Sequence, residues 1–259
     1  MKRTGKKLVM LMTVLFLLIM GTGATIAWGS VTVPTKGEKY RYNFDTKKWE
    51  KTSVSFRATF SSSGKLKKVT FDYGDEKDTI TYTWKGDYLK KIKYSYTGST
   101  PFTTTYTYKN GKLSKIKGPG FTTTYKWKGN KGTATRKDGD DTIKNALTLK
   151  NGRLYKEKSG ESKNQTTYSY YQKGLRKSYT QKYGSGKSKT TYGRNGFKKK
   201  DSGNTWSVTY SWKKNSVTIT SKDNGKVISK KKWKFSKTKN VSRAWNCDAY
   251  GTPVSFELY

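Results

Sequence analysis

Most of the chain alternates apolar and polar residues with a period of two. The runs at residues 40–44, 54–60, 69–73, 80–84 and 206–212 place an apolar, mostly aromatic, residue at every second position. The positions between them are mostly Thr, Ser or charged residues. Because successive side chains of a strand point to opposite faces, this pattern predicts half-buried antiparallel strands. No apolar period of 3.6 residues follows residue 27, so the prediction is an all-β fold.

Turn sequences separate these runs. Asn-Gly pairs stand at residues 110–111, 151–152, 195–196 and 224–225, and Lys-Gly-Asp stands at 85–87. Asn-Gly between alternating runs indicates a tight hairpin, because a type I′ turn needs two residues with positive φ. The chain is therefore predicted to be a series of hairpins.

The hairpins recur with a spacing of roughly 21 residues, which fits two short strands and two turns. Residues 79–92 and 102–116 align closely, whereas residues 128–141 lack an apolar return strand and residues 187–204 match weakly. Stacked hairpins make one continuous sheet. We therefore expect a single antiparallel meander over residues 28–259, curled into a half-barrel, a solenoid or a sandwich.

The repeat resembles a known bacterial repeat family. The segment Tyr106-x-Tyr108-x-x-Gly111-Lys112-Leu113 and the shorter Asn-Gly-Arg-Leu at residues 151–154 are similar to the YD repeats of Rhs-type surface and toxin proteins. The resemblance covers residues 40–235, although Lys replaces the Asp that follows the aromatic residue in YD repeats. It implies β-hairpin repeats in a secreted bacterial protein.

The first 27 residues have the pattern of an export signal. A basic start is followed by an apolar run at residues 8–20 and by small residues that end in Thr25-Ile26-Ala27. We expect cleavage near Trp28 and a secreted or envelope-associated protein with no transmembrane segment in its mature form. The alternative is an uncleaved anchor, since residues 8–27 are long enough to span a bilayer.

The composition excludes many enzyme chemistries. The 259 residues contain no His and one Cys, which removes His-based triads, His-ligated metals and intramolecular disulfides. We therefore expect a non-catalytic protein with no cofactor and no metal.

Two acidic clusters, at residues 72–78 and 138–141, admit a calcium loop or a glycosidase pair. Neither matches a calcium-loop motif, and Asp and Gly are favoured in turns on conformational grounds. The turn interpretation is preferred.

Aromatic residues recur at equivalent repeat positions, and they are the candidate ligand-stacking residues. They are Tyr82, Trp84, Tyr106, Tyr108, Tyr125, Trp127, Tyr168, Tyr170, Tyr210 and Trp212. A row of rings with polar tips suits stacking against sugars or bases. The same rings are also the main apolar material available for a core. We favour the core, because ligands occupy few sites per protein.

The charge indicates a partner. Lys and Arg number 55 against 17 Asp and Glu, a net charge of +38, and only 8 of the basic residues are Arg. Lysine is a hydrated point charge, so sequence-specific reading of nucleic acid is not expected. Neighbouring lysines repel one another, and an anionic polymer relieves that repulsion. We expect binding to wall teichoic acid or acidic polysaccharide; the alternatives are a carbohydrate-binding module that uses the aromatic row, and a structural or toxin-associated scaffold.

Overall fold

The computed structural model describes residues 30–171, 176–242, 245 and 258. The predicted signal at residues 1–27 and the single Cys247 lie outside these ranges. The described residues form eighteen strands, which make one antiparallel sheet. They are β1 Ser30–Asn43, β2 Lys48–Phe60, β3 Leu66–Asp72, β4 Lys77–Lys85, β5 Tyr88–Ser95, β6 Phe102–Lys109, β7 Lys112–Lys117, β8 Phe121–Lys128, β9 Lys131–Asp138, β10 Asp141–Lys150, β11 Arg153–Ser159, β12 Gln165–Tyr170, β13 Arg176–Tyr183, β14 Gly186–Tyr192, β15 Lys198–Ser202, β16 Trp206–Lys213, β17 Ser216–Asp223 and β18 Lys226–Ser242. Within the described ranges no helix is long and apolar enough to cross a membrane.

The sheet is a closed barrel. Each strand pairs with the next along the chain, and β18 also pairs with β1, from Ser30–Ser242 to Arg41–Lys231. The predicted hairpin meander is confirmed, but the half-barrel, solenoid and sandwich were wrong. Pairing the first strand with the last leaves neither with a free edge, and closure is the general means by which antiparallel sheets remove their edges.

Within the described ranges, many neighbouring strands are joined by two-residue turns, which lie at the two rims of the barrel. We call the rim that contains Ser30 and Ser242 the terminal rim, and the other the opposite rim. At the terminal rim, Asn151 and Gly152 have φ values of +52° and +72°, as a type I′ turn requires. The Asn-Gly pairs at residues 110–111 and 224–225 also have positive φ at both positions. The hairpin turns predicted at these three pairs are confirmed.

The inner face of the barrel carries the core. One cluster of buried residues surrounds the junction of β18, β1 and β2 and includes Phe56, Trp233 and Trp245. A second, smaller cluster centres on Leu113 and Leu149. Tyr106 packs against both clusters, so the two parts of the core are continuous through it.

The units that looked incomplete in the sequence still form strands. Residues 131–138 are β9, and Gly132 takes the place of an apolar residue opposite Trp127. A Cβ atom at Gly132 would lie 2.4 Å from Cε3 of Trp127, so the indole ring occupies the space above the glycine. As the sequence indicates, residues 128–141 have few apolar side chains of their own. They still form a return strand, and the ring of Trp127 covers the position where an apolar side chain is missing.

The first aromatic run faces the opposite way from the others. Lys39 pairs with the buried Trp233, so the next pair, Tyr40 and Lys232, lies on the outer face. Phe44 ends this run and is 46% exposed. The period of two was predicted correctly here, but an alternating run does not show which of its faces meets the core.

Candidate functional site

The ten candidate aromatic residues lie on inner-facing positions of their strands. Tyr82 and Tyr210 are 3% and 8% exposed and belong to the main core cluster. The other eight are half-buried: Trp84, Tyr106, Tyr108, Tyr125, Trp127, Tyr168, Tyr170 and Trp212. The repeat spacing therefore brings the set to one face of the sheet, distributed around the barrel interior.

Hydrogen bonds engage the polar tips of several of these rings. The indole N–H of Trp84 donates to the carbonyl of Leu66 at 2.8 Å, and that of Trp127 to the carbonyl of Leu113 at 2.7 Å. Two further bonds repeat this arrangement from Trp212 to Lys198 at 2.8 Å and from Tyr170 to Leu154 at 2.6 Å. In each case the acceptor lies on the preceding strand of the sheet. Each of these rings thus joins its own strand to the preceding one by a hydrogen bond and stabilises the fold.

A polar cluster lies within the barrel near β8, β10, β11 and β12. The Nδ2 of Asn145 donates to Glu157 at 2.7 Å, and the hydroxyl of Tyr168 donates to the same carboxylate at 3.4 Å. Burial, with the charge of Glu157, raises the pKa of both Tyr125 and Tyr168. Both tyrosines therefore remain protonated and neutral at a pH at which an exposed tyrosine would ionise.

The acidic clusters are turns with ion pairs. Lys77 pairs with Asp72 at 3.4 Å across the turn at residues 73–76, and Arg136 pairs with Asp138 at 2.7 Å beside the turn at 139–140. Over the described part of the chain, no group of three or more Cys, Asp or Glu residues is placed to hold a metal ion. Both acidic clusters therefore lie at turns between strands.

The outer face carries alternating stripes of Thr and Lys. One row crosses seven adjacent strands in the hydrogen-bonding direction, and its members follow the strand register. It runs Thr83, Lys91, Thr105, Lys117, Thr122, Lys137 and Thr142, from β4 to β10. Since adjacent strands lie ~4.8 Å apart, lysines in this row are ~10 Å apart, with a hydroxyl between them. That separation is slightly longer than the ~8 Å screening length at physiological salt. Placing a Thr between two lysines therefore weakens the electrostatic repulsion between their charges.

A groove of about 730 Å³ crosses the outer face of β13 to β16 near the terminal rim. Four lysines and one arginine line it, namely Lys177, Lys189, Lys199, Lys200 and Arg194. Hydroxyl residues from the register row Ser178–Thr191–Lys200–Thr209 also line the groove. The described residues that line it include no Asp or Glu.

A β-bulge concentrates charge at this groove. The register of β14 against β15 shifts between Thr191, which pairs with Lys200, and Tyr192, which pairs with Lys198. Lys199 is therefore an extra residue without a partner position on β14, and it lines the groove beside Lys200. Of the ten candidate aromatic residues, Tyr210 and Trp212 are among those that line this groove. Its cationic lining was not predicted: the run of lysines at 198–200 is visible in the sequence, but simple alternation would place Lys199 on the inner face.

An aromatic and lysine patch covers the outer side of the junction between β18, β1 and β2. Lys232 lies 4.2 Å from the ring centre of Trp49, Lys234 lies 4.4 Å from that of Tyr40, and Lys230 lies 5.1 Å from that of Tyr42. Burial, with the charges of neighbouring lysines, lowers the pKa of Lys232. Cation–π contacts of this kind stabilise the junction that closes the barrel.

No family model and no curated protein matches the chain, so no family is assigned to it. Among solved structures, it is similar to a porin-like protein from Bacteroides uniformis ATCC 8492, at 12% identity over 78% of this chain and 96% of that chain, with a TM-score of 0.33. A porin-like protein from Bacteroides vulgatus ATCC 8482 is similar at 11% identity over 78% of this chain and 99% of that one, with a TM-score of 0.32. The structure of TcdB2-TccC3 without its hypervariable C-terminal region is similar at 14% identity over 71% of this chain but 12% of that chain, with a TM-score of 0.29.

Proposed function

We propose that this protein is a secreted or envelope-associated, non-catalytic binder of anionic surface polymers such as wall teichoic acid or acidic polysaccharide. The observation that supports this most is the regular arrangement of Lys and Thr on the outer face. Export rests on the predicted signal at residues 1–27.

A flexible polyanion fits such a surface better than a compact ligand does. Across the strands it meets a lysine about every 10 Å, and along β5 or β7 it meets lysines ~7 Å apart, as at Lys91 and Lys93. Each contact is weak and exposed, but many contacts along one polymer add up, and release of its counterions drives binding. The Thr hydroxyls between the lysines provide donors for the oxygens of the polymer.

The polarity of the barrel also supports contact with a water-soluble polymer. In transmembrane barrels the outward face is apolar and the interior is polar. Here the described strands place Tyr82, Leu113 and Trp233 inside and residues such as Lys91 and Lys117 outside. The outer face is thus suited to an aqueous, charged partner.

The test is binding to heparin and to wall teichoic acid at several salt concentrations. We expect affinity to fall steeply with salt, and the melting temperature to rise when the polymer is present. The variant Lys91→Gln/Lys117→Gln/Lys137→Gln should bind more weakly with a smaller salt dependence. The matched variant with Arg at the same positions keeps the charge and should bind like the wild type. Binding that does not change with salt, or no binding at low salt, would contradict the proposal.

A further inference from the structure

We infer that the groove across β13 to β16 is a discrete binding site for an anionic saccharide. This inference rests on the proposed function, because it assigns one place on the outer face to one class of polymer. The stripes of Lys and Thr are proposed to contact anionic groups at any place on the outer face. The groove differs from them in having a concave shape and an aromatic side chain on one wall.

Tyr171 forms that wall. It follows β12, and its hydroxyl donates to the backbone carbonyl of Tyr192 on β14 at 2.8 Å. Since β13 lies between these strands, the side chain reaches across β13 and is held at both ends. Lys177 lies 5.9 Å from the centre of the ring, so a cation stands beside the aromatic surface.

The remaining lining determines the charge of the ligand. Five cationic side chains converge on one groove with no lining carboxylate among the described residues to neutralise them. Three of them, Lys199, Lys200 and Arg194, come from β15 and the loop before it. Lys199 and Lys200 are consecutive in the sequence, and the bulge allows both to line the same groove. A sulfate or carboxylate group offers the charge-assisted acceptors that Lys and Arg side chains bind.

The size and the ring favour a sugar over a bare anion. A volume of about 730 Å³ is within the range of small-molecule sites and is far larger than a single sulfate needs. Sugar rings present apolar faces that stack on aromatic side chains, while Ser and Thr hydroxyls meet their polar edges. The combination is that of a short stretch of sulfated or uronic-acid polysaccharide.

The experiment measures binding of a heparin-derived tetrasaccharide by calorimetry at physiological salt. We expect saturable binding with one molecule per protein, and no binding of neutral maltotetraose. Lys189→Gln/Lys200→Gln should weaken binding at least about tenfold. The control Lys85→Gln/Lys128→Gln changes two exposed lysines on β4 and β8, remote from the groove, and should stay within about twofold.

The role of the ring is tested with Tyr171→Ala, Tyr171→Phe and short inorganic polyphosphate. Tyr171→Phe keeps the ring and should retain tetrasaccharide binding even if the loss of one hydrogen bond lowers the melting temperature. Tyr171→Ala should weaken binding of the tetrasaccharide but not of polyphosphate. Equal loss for both ligands, or no loss for either, would overturn the assignment to a saccharide.

The outcomes separate this inference from the proposed function. If polymeric heparin binds with the expected salt dependence but the tetrasaccharide does not bind at one site, the groove inference is wrong and the function stands. The groove inference is also wrong, and the proposed function stands, if Lys189→Gln/Lys200→Gln loses no more affinity for the tetrasaccharide than the control variant does. If neither the polymer nor the tetrasaccharide binds, both are wrong.

Discussion

Tyr125 and Thr124 are adjacent on β8 but face opposite sides of the sheet. Tyr125 packs against the second core cluster, and Thr124 is exposed on the outer face. Tyr125→Ala should lower the free energy of unfolding by about 3 kcal/mol, as truncations of large aromatic residues do. Thr124→Ala should change it by less than about 0.5 kcal/mol. Denaturant unfolding measures both, and equal losses would show that the two faces are wrongly assigned.

The protonation of Tyr125 and Tyr168 predicts a loss of stability at alkaline pH. Both pKa values are raised by burial above the ordinary tyrosine value of about 10. Above pH ~10 the unfolded chain loses these protons while the folded protein keeps them. The free energy of unfolding should then fall by ~1.4 kcal/mol per pH unit for each tyrosine, and neither contributes to a pH dependence below pH 10.

The double variant Tyr125→Phe/Tyr168→Phe should show a shallower fall in stability between pH 10 and 11.5. Lysine titration is common to both proteins, so the comparison isolates the two tyrosines. Tyr155→Phe is the control, because Tyr155 is 40% exposed. A double variant with the same alkaline slope as the wild type would mean that these tyrosines ionise within the folded barrel.

Among the secondary-structure elements, β9 depends on a glycine beneath an aromatic ring. Gly132→Ala should destabilise the protein by ~2–3 kcal/mol, because the new methyl group overlaps the ring of Trp127 and its backbone neighbour. The comparison variant is Gly152→Ala. Gly152 has a φ of +72°, and no atom lies within 4 Å of a Cβ added there. This variant should cost ~1–2 kcal/mol from backbone strain alone. Tryptophan fluorescence should change only in Gly132→Ala, and an unchanged spectrum there would refute the contact.

Local features of the sequence predict most of the strands and turns, but not the pairing of β1 with β18 that closes the barrel. The Asn-Gly turns and the alternation at residues 80–84 are signals within a few residues, and the structure has those turns and strands. The pairing of Val31 with Val241 joins residues far apart in sequence, and no local pattern marks it. Likewise the bulge at Lys199 depends on register between two strands, which alternation alone does not define.

For the whole molecule, the pairing of β1 with β18 is the contact that makes the sheet continuous. Thr32 and Asn240 are directly paired on its outer side, 2.7 Å apart at their hydrogen bond. The variant Thr32→Cys/Asn240→Cys, with Cys247→Ser to avoid mispairing, should form a disulfide readily. Because it encloses more than 200 residues, the chain-entropy estimate of its stabilisation is ~5 kcal/mol.

The control for this disulfide joins a single hairpin. Ser207 and Lys222 are directly paired on β16 and β17, and cysteines there close a loop of about 16 residues, worth ~3 kcal/mol. Thermal and denaturant unfolding of the oxidised and reduced forms give the two stabilisations. Failure of the 32–240 disulfide to form, or a smaller gain than from the hairpin disulfide, would show that the barrel is not closed there.

The closing pair also determines how the protein responds to mechanical force. Ser30 and Ser242 lie opposite each other at the same rim, so tension applied between them would load the hydrogen bonds of β1 and β18 one after another. Bonds loaded in sequence yield at lower force than bonds that are sheared together. If the pull is applied instead to the chain beyond residue 245, Trp245 has to be pulled out before that ladder is loaded from its end, because it donates a hydrogen bond to the carbonyl of Asn195 and packs against Phe60 and Phe197. We therefore expect the barrel to peel open from the β1–β18 ladder under a pull on the chain outside residues 30 and 245, with this tryptophan as the first contact to break.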